Sequence, residues 1–207
     1  MSANPDFHLT VKRNVSILMA SFPYRKKWML QCIERLMPQC DNFYLWLNEY
    51  KEIPEELKKY DQNKLHITLG DVNLKENGRY IFLNKPELQE DYCFICDDDI
   101  VWPEDYVKRT LECFKRHGDN IVIAYFINGG LSDFHAKDQV QTGYSVIQSI
   151  AHYRFGAGTC AFVPGLTKFK FTYDELVAHY DIELFFAKQC MNDGIKLYSP
   201  ERRANWI

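Results

Sequence analysis

Short apolar runs of strand length alternate along this chain with segments whose apolar residues recur at helical spacing. Residues 15–19 (Val-Ser-Ile-Leu-Met), 43–47, 65–69, 92–96, 121–126 and 196–199 read as strands, five of them rich in β-branched or aromatic residues. Between them, Met29, Cys32, Ile33 and Leu36 fall on one face of a helix over residues 26–37, which Pro38 ends. Tyr106, Val107, Leu111 and Phe114 define the inner face of a second helix over 104–117, with Pro103 at its start and Lys115-Arg116-His117-Gly118 as its stop signal. A short helix over 55–60 and a long one over 172–191 are also expected, while residues 79–84 read either as a helical turn or as loop. Residues 128–148, polar and carrying Gly129-Gly130, read as a long loop or an irregular hairpin that orders over a ligand as a lid. Alternating strands and helices predict an α/β fold with a mixed, mainly parallel sheet flanked by helices, in a single domain over residues 1–207.

The chemistry concentrates at the end of the fourth strand. Tyr92-Cys93-Phe94-Ile95-Cys96 runs directly into Asp97-Asp98-Asp99. Carboxylates at the carboxyl end of a buried strand face the crevice where α/β proteins bind ligands. Three together repel one another unless a cation or a hydrogen-bond network holds them. A surface acidic triplet is the ordinary alternative, but the apolar run before it argues for burial. If the backbone stays extended, Asp97 and Asp99 share a face and can ligate one hard cation, Mn²⁺ or Mg²⁺, leaving Asp98 for structure or a ribose. The following Ile-Val-Trp-Pro lacks the spaced acids and glycine of an EF-hand, and Val101 stands where an aspartyl-phosphate motif would want Thr.

Composition narrows the partners. A net charge of −3 over 207 residues gives no electrostatic case for nucleic acid. No apolar run reaches membrane-spanning length, so any membrane association is expected to be peripheral. The seven cysteines form no framework pattern, and Cys93 and Cys96 face opposite sides of a strand; they read as core thiols of a cytoplasmic protein. No Walker loop, dinucleotide-binding glycine motif or nucleophile elbow is present.

Taken in order, three segments resemble the GT-A glycosyltransferases, in particular bacterial enzymes of the family 2 type. They are Ala20-Ser21-Phe22-Pro23-Tyr24-Arg25 after the first strand, Asp97-Asp98-Asp99 after the fourth, and Phe155-Gly156-Ala157-Gly158-Thr159-Cys160-Ala161-Phe162 followed by Asp181-Ile182-Glu183. The resemblance covers nearly the whole chain. It implies a nucleotide-binding half over about residues 1–100, an acceptor-side half over 101–207, and transfer of a sugar from a nucleotide-diphosphate donor, UDP-linked by expectation, to a glycan or other hydroxyl acceptor, as in polysaccharide biosynthesis. The expected donor-binding residues are Ser21, Pro23, Arg25, Asn48, Asp71, Arg79, Asp97 and Asp98, and the expected metal ligands are Asp97 and Asp99. Asp181 is the expected base that deprotonates the acceptor, with Glu183 as the alternative; a single in-line base implies inversion. Arg202 and Arg203 are further candidates for the diphosphate, whereas His152 and His179 read as structural. The chain departs from the family at Asn48, where many relatives place an Asp that reads the base, and in the lack of a His after Trp206. Two rival readings stand beside this one. A sugar-phosphate nucleotidyltransferase would want a glycine-rich basic loop after the first strand, and residues 20–27 contain no glycine. A non-catalytic nucleotide- or glycan-binding module is the other.

Overall fold

The computed structural model describes residues 12–125, 127–129, 146–148, 153–155, 158–168, 170–178, 182–200 and 206–207. Its first strand, β1 (Val15–Ser21), is buried on both faces over all seven residues, which only a central strand of a covered sheet can be. On one side of it lie β2 (Asn42–Leu47) and β3 (Leu65–Leu69), and on the other β4 (Tyr92–Cys96), all parallel. Next to β4 comes an antiparallel strand, β9 (Thr159–Phe162). Beyond it are β5 (Ile121–Ala124), β10 (Lys196–Ser199) and the antiparallel edge β7 (Val146–Gln148). The order β3-β2-β1-β4-β9-β5-β10-β7 makes an eight-stranded mixed, mainly parallel sheet among the described residues. A separate antiparallel pair joins β6 (Ile127–Gly129) to β8 (Tyr153–Phe155). Both sequence halves feed the large sheet, so the expected nucleotide and acceptor halves are built on one shared framework.

Alternate residues of each strand serve two different cores. Val15, Ile17 and Met19 of β1, with Phe94 and Cys96 of β4, pack beneath α1 (Lys26–Leu36) and α2 (Tyr106–His117). Leu18 and Ala20, with Cys93 and Ile95, face the other layer, formed by the 3₁₀ segment Lys75–Asn84 and by α5 (Ile182–Asn192). Cys93 and Cys96 therefore lie in opposite cores, and all seven cysteines are buried free thiols. No helix among the described residues is long and apolar enough to cross a membrane.

The structure moves several expected boundaries. The helix expected from residue 104 starts at Tyr106, because Pro103–Asp105 form a turn whose first carbonyl accepts the Tyr106 N–H. The helix expected over 172–191 is two, α4 (Tyr173–Ala178) and α5, preceded by the short α3 (Pro164–Thr167). The segment read as a loop over 128–148 contributes β6 and β7 at its ends; residues 130–145 and the expected lid lie outside the described residues. Two strands are missed altogether, β8 and β9, although β9 is fully buried between β4 and β5.

Candidate active site

β1, β2 and β4 end together, and the residues just past their ends form one polar cluster inside an apolar framework. The backbone leaves the sheet at Cys96 and turns through Asp98 and Asp99, so the three aspartates do not alternate across an extended strand. Each carboxylate instead has its own environment. Asp97 pairs with Nη1 of Arg79. Asp98, 3% exposed, accepts from Ser21 Oγ at 2.5 Å and from Arg25 Nη1 at 2.9 Å. Asp99 is more open and lies 3.1 Å from the same Arg25 nitrogen. Burial pushes the Asp98 carboxyl above its ordinary range, opposed by the bonds from Ser21 and Arg25. Arg25 is shifted upward, chiefly by its hydrogen bond to Asp98. For Arg79, burial opposes the charge, but the neighbourhood of Asp97 raises its pKa overall; its Nε–H has no partner among the described residues.

Two residues to which the sequence assigned no role hold this turn. Trp102 is fully buried and donates Nε1–H to the Asp97 carbonyl at 3.1 Å. Gly158, just before β9, accepts the Asp97 N–H at 3.0 Å and lies flat against its carboxylate: a Cβ there would fall 1.7 Å from Asp97 Oδ2. The sequence signal for Gly158 was its place in the Gly-Ala-Gly segment. For Trp102 the only signal was an aromatic residue beside the acidic triplet.

Asn48 has a different place from the expected one. It is fully buried. Its Oδ1 accepts from Trp46 Nε1 and from the Leu74 N–H, each at 3.0 Å. Its Nδ2 donates to the carbonyls of Lys75 at 3.0 Å and of Ser21 at 3.4 Å. With both amide ends committed, Asn48 ties the ends of β1 and β2 to the segment carrying Arg79, and the side chain is not turned toward a base. Asp71 is exposed and meets Tyr173 at 3.5 Å, on the rim and outside the aspartate cluster. Pro23 opens the one-turn helix Pro23–Arg25, which sets Arg25 over Asp98 and Asp99. Asp181, His152, His179, Arg202 and Arg203 lie outside the described residues, as does the side chain of Glu183.

The cluster fits a hard cation in chemistry, since its donors are carboxylate oxygens, two of them partly open to solvent. Asp97 and Asp99, the expected ligands, are each engaged by an arginine. No group of three His, Cys, Asp or Glu side chains able to enclose a metal occurs among the described residues. A cation held here would need further oxygens from substrate or water, as Mg²⁺ commonly does. Beside Asp99, a cleft of about 340 Å³ opens between α1 and the Asp99–Val101 segment, with Trp28, Gln31 and Arg35 on its wall.

No family model matches the chain, and no curated protein matches it in sequence. The fold does have solved counterparts. Residues 1–349 of TarS from S. aureus match over 92% of this chain, with a TM-score of 0.66 and 11% identity. This chain spans 59% of that one. The 4-diphosphocytidyl-2C-methyl-D-erythritol synthase of Anaerococcus prevotii matches over 94% of this chain and 91% of its own, with a TM-score of 0.53 and 14% identity. At these identities the likeness is one of fold: the chain has the Rossmann-like α/β architecture that both proteins share.

Proposed function

We propose that this protein is a glycosyltransferase that moves a sugar from a nucleotide-diphosphate donor, UDP-linked, to a hydroxyl acceptor on a glycan or similar molecule. The observation that carries the reading is the meeting of Asp97, Asp98 and Asp99 with Ser21, Arg25 and Arg79 where the central parallel strands end. Carboxylates and guanidinium groups converging at that crevice suit a phosphate-bearing ligand held with a cation. The likeness in fold to TarS over 92% of this chain is compatible with the reading.

On this reading Asp97 and Asp99 would hold Mn²⁺ or Mg²⁺, which would supply positive charge to the diphosphate leaving group. Asp98 is a positioning residue, fixing Arg25 and the end of β1. Asn48 is one too, through Ser21 and Lys75. Asp181 is the proposed base on the acceptor hydroxyl, and the reaction inverts the anomeric carbon.

A second reading, nucleotidyl transfer to a sugar phosphate, has one observation in its favour: the synthase matches this chain nearly end to end in both directions. Against it, the connection after β1 is the glycine-free one-turn helix Pro23–Arg25. Incubation with a panel of nucleotide sugars and Mn²⁺ separates the two. Metal-dependent release of nucleoside diphosphate supports glycosyl transfer, whereas pyrophosphate release from a nucleoside triphosphate and a sugar phosphate supports the rival. Nucleotide binding with neither product indicates a non-catalytic module. In the first case Asp99→Asn abolishes metal-dependent UDP binding, and Asp181→Asn lowers turnover about a hundredfold while sparing UDP affinity.

A further inference from the structure

The two arginines of the cluster differ in kind. Arg79 is 3% exposed and sits inside the fold against Asp97. Arg25 is 37% exposed, on the one-turn helix between β1 and α1, and among the described residues its guanidinium pairs only with Asp98 and Asp99. A single nitrogen, Nη1, bridges the two, 2.9 Å from Asp98 Oδ1 and 3.1 Å from Asp99 Oδ2. A positive group between oxygens of two adjacent carboxylates meets the same electrostatic need that a divalent cation meets.

We propose that Arg25 guards the cation site through Asp99, the ligand it shares with the cation: it neutralises Asp98 and Asp99 in the resting protein, and cation and diphosphate displace it from Asp99 together, the guanidinium passing from that carboxylate to phosphate oxygens. The inference rests on the metal-dependent reading above and adds to it an order of events. Three features support it. Asp98 keeps its bond from Ser21 when Arg25 leaves, so a buried carboxylate is not stranded. Asp97 and Asp99 are both partly open to solvent, so a cation held there would be within reach of the oxygens of a bound diphosphate. Guanidinium also forks onto phosphate as readily as onto carboxylate, so Arg25 gains a new partner as it loses the old. Cation and nucleotide are then coupled through one side chain, and each binds poorly without the other.

The experiment measures Mn²⁺ binding, from the free-ion paramagnetic resonance signal, for the wild type, Arg25→Gln and Arg25→Lys, first alone and then with UDP. Without nucleotide, Arg25→Gln is expected to bind Mn²⁺ about tenfold more tightly than the wild type, and Arg25→Lys to stay close to the wild type. UDP should tighten Mn²⁺ in the wild type and do so far less in Arg25→Gln. A folded Arg25→Gln with no gain in Mn²⁺ affinity, in a protein whose wild type binds Mn²⁺ with UDP, overturns the exchange and leaves the metal reading standing. Failure of the wild type to bind Mn²⁺ even with UDP overturns both. Should Arg25→Gln not fold, the guanidinium nitrogen resonance of Arg25 in the wild type decides. It moves when Mg²⁺ and UDP are added together and stays put with Mg²⁺ alone; a resonance unmoved by the pair overturns the proposal.

Discussion

Replacing Asn48 with alanine would remove the acceptor of two buried donors, Trp46 Nε1–H and the Leu74 N–H, and the side-chain bonds to the carbonyls of Lys75 and of Ser21, the latter keeping the backbone N–H of residue 48. Each buried group left unpaired costs about 1–3 kcal/mol unless water reaches it. We expect Asn48→Ala to lose about 2–4 kcal/mol in urea unfolding and to weaken nucleotide binding as well, because the same side chain positions Ser21 and the Arg79 segment. A loss of binding with unchanged stability would instead return Asn48 to the base-reading role. Asp91 gives a second residue-scale test away from the site. It is buried and accepts from Ser16 Oγ at 2.6 Å, and burial raises its pKa above the ordinary 3.8. A carboxyl raised on folding holds its proton longer in the native state, so its contribution to stability is present below pH 3.8 and is lost as pH climbs through the folded value. Thermal unfolding from pH 3 upward should show a smaller fall in stability for Asp91→Asn, which still accepts from Ser16, than for the wild type. Identical slopes would mean that Asp91 is not a source of the fall.

Among the elements, those whose signals are local were legible in the sequence. β3 and β10 fall on the residues that their apolar runs mark, and α1 keeps the face set by Met29, Cys32, Ile33 and Leu36. β9 was not legible, because Thr159–Phe162 is four residues between a glycine segment and Pro164. Its identity as a strand depends on pairing with β4 and β5, which lie far from it in sequence. The same gap hid half of the site. Asp97 was visible, but its contacts with Arg79, Trp102 and Gly158 are made by tertiary structure. The expected shared face of Asp97 and Asp99 assumed an extended chain, and the turn after Cys96 removed that premise. Gly158→Ala tests how tightly β9 constrains the cluster. Its methyl group has no space beside the Asp97 carboxylate, so either Asp97 swings off Arg79 or β9 shifts. We expect UDP binding with Mn²⁺ to fall by about tenfold or more, a loss of roughly 1.4 kcal/mol. Unchanged calorimetric titration would show that Asp97 can move without consequence.

Across the whole molecule, one sheet divides two cores and the seven thiols sample both. Cys32, Cys40, Cys96 and Cys113 lie under α1 and α2; Cys93, Cys160 and Cys190 lie in the opposite layer. Burial raises the Cys32 and Cys40 thiols to about 12 and Cys93 and Cys96 well above their ordinary value, which keeps them unreactive in the folded protein. A thiol reagent in moderate urea is therefore expected to label both groups in a single phase that follows loss of the sheet. Labelling of one core ahead of the other, resolved by mass spectrometry, would show that the layers open separately.

The place of β9 also bears on how the protein is made. During synthesis β1 to β4 emerge first and can pair among themselves, since their order in the sheet needs nothing later than residue 96. Until β9 arrives, β4 has an open flank, and its run Tyr-Cys-Phe-Ile-Cys presents unpaired backbone to any passing strand. The ribosome-bound intermediate thus carries an open apolar edge between two acidic flanks, Glu90-Asp91 before it and the three aspartates after it, whose charges are local deterrents to aggregation. Neutralising that triplet would then impair yield from the ribosome as well as the proposed ligand binding in the finished protein.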